Sequence, residues 1–278
     1  MTDIKRLVVT GGFGQIGRSM TFGVRTDRTE IDVTDYDNVV DGLRQLRATA
    51  VLNLASVDLR PSQADPAAAF QVNVAGTYNV ARAAEKLGLP MILVTTGAIF
   101  NGSYGSAFDE TATPDPLCVY AKSKHMAELI VQTMVPKHLI VRTGWLFALN
   151  VAPRKKFVEL VMVAAEENQP IKATNDQSGS PTYTPDFVDA LKAAIGEDRR
   201  GILHIVNYGI ATAVEIADAV CTAMGRKSVV ERTSFRDFMD GIPRSESEGL
   251  SSRYVKLRPW TEALVEYVRK ATSFDRPS

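Results

Sequence analysis

Over the first two-thirds of the chain, apolar residues fall in short unbroken runs separated by amphipathic stretches. The runs are Leu7-Val8-Val9, Ala50-Val51-Leu52-Asn53-Leu54-Ala55, Met91-Ile92-Leu93-Val94-Thr95, Leu139-Ile140-Val141-Arg142 and Ile202-Leu203-His204-Ile205-Val206. Short runs without polar alternation predict strands buried on both faces. An alanine-rich pattern over 66–87 and a second pattern over 120–134 predict helices between them. Strands alternating with helices read as an α/β fold with a doubly wound parallel sheet, whose ligands bind at the carboxyl ends of the strands.

The last third differs. Residues 175–185 read as a polar loop containing Gly179 and Pro181, and 232–253 as a charged stretch of low apolar content. Helical patterns over 213–224 and 260–271 lie on either side of the latter, and 273–278 reads as a frayed end. This implies a smaller, discontinuous C-terminal domain. The expected division is 1–147 plus about 181–207 for the dinucleotide-binding domain, and about 148–180 plus 208–278 for a substrate-binding domain. There is no internal repeat.

Directly after the first run comes Thr10-Gly11-Gly12-Phe13-Gly14-Gln15-Ile16-Gly17, with glycines at 11, 14 and 17. Lacking Cβ atoms, such residues permit a tight turn and close approach of backbone to a pyrophosphate. A helix starting near Gln15 would aim its free N–H groups at the phosphates. Between a strand and a helix, the pattern reads as the dinucleotide loop of a Rossmann fold. The next acidic landmark, Asp32 in Ile31-Asp32-Val33, follows Gly17 by only 15 residues, so the first helix and second strand must be short. Arg18, Arg25 and Arg28 lie in that interval and would suit a ribose 2′-phosphate, which favours NADP over NAD.

Tyr120 and Lys124 stand in a Tyr-x-x-x-Lys spacing that puts both on one helix face. A neighbouring ammonium favours the phenolate, which would tune Tyr120 as an acid or base near neutrality. Thr95 and Thr96 end the third run, at the edge where ligands bind, and a hydroxyl there can hold a carbonyl oxygen.

Composition narrows the alternatives. The chain has 278 residues, 45% hydrophobic and 23% charged, and 32 basic residues balance 32 acidic ones. A general basic field for nucleic acid is absent, and no apolar run has the roughly 18 residues of a membrane span. The charged start leads into a run too brief for a secretory signal, so a cytoplasmic location is expected. Cys118 and Cys221 form no CxxC, and His125, His138 and His204 show no metal spacing and read as structural. Trp260 reads as a core residue, whereas Trp145 sits at a strand end and could stack on a sugar or base. Arg154, Lys155 and Lys156 could meet a diphosphate or form a solvated face.

Taken in order, these motifs resemble the extended short-chain dehydrogenases/reductases, and within them the dTDP-4-dehydrorhamnose reductase family. The resemblance runs through Gly11 to Arg18, Asp32-Val33-Thr34-Asp35, Asn53-Leu54-Ala55-Ser56, Asn73-Val74-Ala75-Gly76-Thr77, Thr95 to Gly102, Arg142 to Phe147, and Asp176 to Thr182. Thr96 falls on the family's catalytic threonine, and Tyr120 follows it by 24 residues, as in the family. The resemblance implies an NADPH-dependent, NAD-tolerant reductase of a nucleotide-linked keto-6-deoxy-sugar, with Thr96, Tyr120 and Lys124 catalytic. It implies cofactor contacts at Gly11, Phe13, Gly14, Gln15, Ile16, Arg18, Asp32, Val33, Leu54, Ala55, Ser56, Asn73, Tyr120 and Lys124. Substrate contacts are implied at Thr96, Tyr120, Trp145, Lys156 and Arg244, with no metal. Family members often form homodimers, although no motif here fixes an interface. Four departures lie on the substrate side: Gly97-Ala98 for Asp-Tyr, the 57–61 stretch, Lys156 for Asn, and Arg244-Ser245-Glu246-Ser247-Glu248 for Arg-Pro-x-x-Ser. Two other readings remain open, a non-catalytic NADP-binding regulatory subunit and an NAD-dependent sugar-nucleotide epimerase or dehydratase.

Overall fold

In the computed structural model, which describes residues 2–149, 156–228, 230–238 and 241–274, all five apolar runs are strands of one sheet. The strands are β1 (Leu7–Thr10), β2 (Val24–Arg25), β3 (Ala50–Asn53), β4 (Met91–Thr96), β5 (His138–Thr143) and β6 (Gly201–His204). They stand in the order β2-β1-β3-β4-β5-β6, every pair parallel. Successive side chains point to opposite faces, and helices cover both faces, so β1 and β3 are buried at every position. Val8, Val51 and Leu93 pack on one side against Val39, Val80 and Val131. Leu7, Leu52 and Ile92 pack on the other against Phe187, Leu191 and Ile195.

The chain leaves β1 on one side to make β2 and returns on the other to make β3. That reversal opens a crevice beyond the carboxyl ends of β1 and β3. The short interval before Asp32 is met by a five-residue helix, Gln15–Ser19, and the two-residue β2. The alanine-rich run is helical but not uniform. Pro66–Ala69 and Thr77–Leu87 are α-helical, and Phe70–Gly76 between them is a π-helical turn. Helices Tyr36–Gln45 and Thr184–Gly196, which the run pattern does not mark, complete the two layers. Among the described residues, no helix is long and apolar enough to cross a membrane.

A further apolar cluster lies beyond the sheet. Its centre is the ring of Phe147, 5.4 Å from Tyr183 and 5.6 Å from Tyr267. Helices Phe157–Glu167, Ala213–Ala223 and Trp260–Phe274 surround it, and strand Ile171–Thr174 pairs in parallel with Val230–Thr233. Trp260 belongs to this cluster.

The stretches 175–185 and 232–253 depart from their polar appearance. Gln177, Ser178, Ser180, Thr182, Ser245 and Ser247 are all buried. Their hydroxyls have partners: Ser178 Oγ bonds Ser247 Oγ at 3.0 Å, and Ser245 Oγ accepts from Gly102 N at 2.8 Å. Ser180 Oγ accepts from Leu250 N at 2.8 Å. Hydroxyls small enough to bury and paired on arrival behave here as core, which hydropathy cannot register.

Removing the ring at the centre of the aromatic cluster tests this packing. Phe147→Ala is expected to lower stability by about 3–5 kcal/mol in urea denaturation; a loss under about 1 kcal/mol would contradict a close-packed ring.

Candidate active site

Three chain segments meet at the crevice: the loop after β1, the chain after β3, and the end of β4 with the helix that follows. They line one cleft of about 530 Å³. In the first, Gly11 adopts φ +64°, and a Cβ there would lie 2.6 Å from Ala55 N. A Cβ at Gly17 would lie 2.2 Å from the Gly12 carbonyl oxygen. Both glycines are therefore demanded by the chain's own packing. Gly14 is different: a Cβ would meet only the Gly11 carbonyl, at 3.4 Å, and this residue caps the helix without a side-chain bond. Beside it, Gln15 Nε2 is buried and has no hydrogen-bond partner in the protein.

At the end of β4, helix Val119–Met134 lies across the strand. Tyr120 and Thr96 share the cleft lining, and Thr96 Oγ1 accepts from Ala98 N at 3.1 Å. Lys124 is 5% exposed and donates from Nζ to the Val94 carbonyl at 2.9 Å. Burial pushes the Tyr120 phenol above its ordinary value, and the carboxylates of Asp58 and Glu248 add to this. Burial pulls Lys124 down to about 8, against the opposing pull of Glu128 and Asp58. The sequence expectation that Lys124 draws Tyr120 toward phenolate is thus corrected for the protein alone. Lys124 donates to the strand, while burial and the charges of Asp58 and Glu248 favour the protonated phenol.

On the other wall, Trp145 takes φ +21° and donates from Nε1 to Glu248 Oε2 at 3.2 Å. Its indole lies where a Cβ on Gly179 would stand, 2.3 Å away. Arg244 donates from Nε to the other oxygen of Glu248 at 2.9 Å. Glu248 reaches this place because Gly97 lets the chain close in: a Cβ at Gly97 would lie 2.5 Å from the Glu248 carbonyl.

The cleft brings together most of the residues marked in the sequence. Gly11, Gly14, Gln15, Ile16, Leu54 and Ser56 line it, as do Thr96, Tyr120 and Lys124, and Trp145, Lys156 and Arg244. Arg154 and Lys155 lie outside the described residues. Six others stand off its lining. Ala55 backs Gly11. Val33 packs on Gly76 in the π-helical turn. Asn73 accepts from Val57 N at 2.7 Å and donates to Ser123 Oγ at 2.9 Å. Asp32 is held below the usual carboxylate range, against burial, by Thr34 and Arg28, the last at 2.9 Å. Phe13 is 43% exposed at the outer end of the loop. Its carbonyl accepts from Arg18 Nε at 2.6 Å, and the Arg25 guanidinium lies 5.4 Å over its ring.

Sequence reasoning missed Asp58, Thr143 and Glu248, all on the cleft lining. Thr143 Oγ1 is buried and without a partner, the same signal that marks Gln15. Thr143 adjoins Arg142 and Trp145 in a motif already singled out, and its place at the end of β5 was the available clue.

The chain matches the family model of the RmlD substrate binding domain over residues 5–273. It is 32% identical to the dTDP-4-dehydrorhamnose reductase of Mycobacterium tuberculosis, over 98% of this chain and 96% of that protein. It is 28% identical to the spore coat polysaccharide biosynthesis protein SpsK of Bacillus subtilis, over 96% of this chain and 98% of that one. Among solved structures, it is similar to the dTDP-4-dehydrorhamnose reductase of Bacillus anthracis in complex with NADP. The TM-score is 0.88 at 23% identity, covering 96% of this chain and 99% of that chain.

The two kinds of glycine separate by stability. Gly14→Ala is expected to cost about 1 kcal/mol or less, a helix-cap effect. Gly17→Ala should cost about 3 kcal/mol or more, since backbone must shift. Urea denaturation of the pair checks this, and equal losses would contradict the contrast.

Proposed function

The chain belongs to the RmlD substrate binding domain family, and from that premise we propose that it is an NADPH-dependent reductase of a nucleotide-linked 4-keto-6-deoxy-sugar. The observation that carries this reading is the joining of Thr96, Tyr120 and Lys124 on one cleft with a glycine loop whose Gly14 is open. The chain's own features fit a dinucleotide. Gly14 leaves room for a phosphate, Gln15 Nε2 has no partner, and the Gln15–Ser19 helix directs its first N–H groups toward the loop. Bound there, the cofactor supplies the hydride.

Tyr120, kept protonated by its surroundings, gives its proton to the carbonyl oxygen of the sugar. Thr96 holds that oxygen and the phenol in one hydrogen-bonded group, which fixes the approach of the proton. Lys124 holds the ammonium charge below them and would hold ribose hydroxyls of the cofactor. Arg25, at the end of β2 where an NAD enzyme would carry an acid, and Arg18 beside it favour a 2′-phosphate over a 2′-hydroxyl. The sugar lies toward Trp145, Lys156 and Arg244. The division of labour would follow 1–147 plus about 181–207 for the cofactor and about 148–180 plus 208–278 for the sugar nucleotide.

Three outcomes test the reading. Wild-type protein should oxidise NADPH with a 4-keto-6-deoxy nucleotide sugar, and Tyr120→Phe should reduce turnover by about 10²–10⁴ while folding and cofactor binding survive. No turnover on any such sugar, with NADPH bound, would support the regulatory-subunit alternative instead. Arg25→Ala should lower kcat/KM for NADPH by about 10- to 150-fold, the loss of a charge-assisted phosphate contact, and leave NADH little changed. Finally, kcat/KM should fall as pH rises through about 8, where Lys124 loses its proton; a flat profile to pH 10 would exclude a role for that charge.

A further inference from the structure

Trp145 stands in a backbone conformation rare for a bulky residue. Its φ of +21° lies in the left-handed region, which such a side chain enters only when its surroundings hold it there. Thr182 N donates to its carbonyl at 3.2 Å, and Gly179 backs its ring system. A Cβ on Gly179 would fall 2.3 Å from Cε2 and 2.6 Å from Cδ2, the two atoms that the indole rings share. The glycine backbone thus supports the indole from behind, and Trp145 lines the cleft. The edge of the ring is held separately. An indole N–H is a donor only, and this one goes to Glu248 Oε2 at 3.2 Å.

We propose that Glu248 is a positioning residue for the sugar nucleotide, a clamp that holds the Trp145 indole and the Arg244 guanidinium as one wall before any ligand arrives. The kinetic consequence rests on the reductase reading; the immobility of the indole does not.

Glu248 is built to act as a clamp. Its side chain is buried at the cleft, on a backbone fixed from two directions. Its own N–H donates to the Ser178 carbonyl at 2.9 Å, and Ser247 before it bridges both Gly102 and Ser178. The carboxylate divides its oxygens. Oε1 accepts from Arg244 Nε at 2.9 Å and also from Arg244 Nη2, while Oε2 takes the indole. An ion pair therefore anchors one oxygen and leaves the other to fix the ring. A pyranose offers apolar C–H groups on its faces and oxygens around its edge. A fixed indole plane receives the first, and a fixed guanidinium meets the second. Ordering two such side chains at the moment of binding would cost affinity, and ordering them in the free protein removes that cost. Thr96 and Tyr120 line the same cleft, so the place of this wall decides where the sugar carbonyl stands relative to them.

A merely structural ion pair would add stability and leave the indole as it is. The test therefore reads the indole directly. In protein labelled with 15N-tryptophan and without ligand, the Trp145 indole N–H resonance is assigned by its loss in Trp145→Phe. Its order parameter in the wild type should be that of a rigid N–H, about 0.85, and in Glu248→Ala it should fall below about 0.6. In turnover of a 4-keto-6-deoxy nucleotide sugar with NADPH, Glu248→Ala should raise KM for the sugar nucleotide by about 5- to 100-fold and lower kcat by a smaller factor. KM for NADPH should move far less. Glu248→Gln, which keeps the length and one acceptor oxygen, should return both the order parameter and KM part of the way. Should Glu248→Ala fail to fold, because it strands the Arg244 charge, Glu248→Gln carries the test with shifts of the same sign against wild type. An indole as rigid in the folded variant as in the wild type overturns the proposal, and so does a mobile indole with KM for the sugar nucleotide unchanged. A mobile indole in the variant, with no keto-sugar turnover by the wild type, would sink the reductase reading and leave the clamp standing.

Discussion

A carboxylate and a guanidinium buried between a helix and a sheet hold the working end of this molecule in register. Glu128 and Arg142 are 1% and 3% exposed at their side chains, with two bonds between them. Removing one partner of such a pair costs about 3–5 kcal/mol, yet replacing both with apolar groups is often neutral or better. Net stability is therefore a weak explanation for it. Geometry is a stronger one: an apolar contact would allow helix Val119–Met134 to slide or rotate over β4, and a two-bond fork does not. A second polar line does the same work on the other side. Thr10 donates to Asn53 at 2.8 Å, Asn53 to Thr77 at 3.2 Å, Thr77 to the Asn73 carbonyl at 2.7 Å, and Asn73 to Ser123 at 2.9 Å. The ends of β1 and β3 are thereby tied to the helix that carries Tyr120.

The sheet was legible because strands buried on both faces must be apolar throughout, and five of the six strands announce themselves that way. β2 was expected only as a short strand before Asp32 and could not be placed, because two residues make no pattern. The glycine loop and the spacing of Tyr120 and Lys124 were legible because local geometry fixes them within a few residues. Glu128 and Arg142 were not, since hydropathy places charged residues outside and nothing local links two positions that far apart. The serines of 175–185 and 245–250 were misread for the same reason: each looks exposed until its partner, some 70 residues away, is present. Asn73 was assigned to the cofactor from the motif around it. Its amide, carried on the π-helical turn, braces Val57 and Ser123, partners no motif reveals.

The departures from the resembled family are physically linked. Gly97 and Ala98, where the family carries Asp and Tyr, look like a loss of function when read alone. In three dimensions the missing Cβ at Gly97 is the condition for the close approach of the Glu248 backbone. Glu248 then occupies both Trp145 and Arg244. One wall of the cleft is thus supplied by a distant segment, opposite the wall carrying Thr96, Tyr120 and Lys124.

The two tryptophans of the chain occupy unlike places. Trp145 lies on the cleft with its indole N–H on a carboxylate, and Trp260 lies in the apolar cluster beyond the sheet. Their emission is expected to separate accordingly. Anything that enters the cleft perturbs the polar, hydrogen-bonded indole, and anything that loosens the distant cluster perturbs the apolar one. The molecule thus carries two intrinsic optical probes, and a Trp145→Phe or Trp260→Phe protein isolates either signal without an added dye.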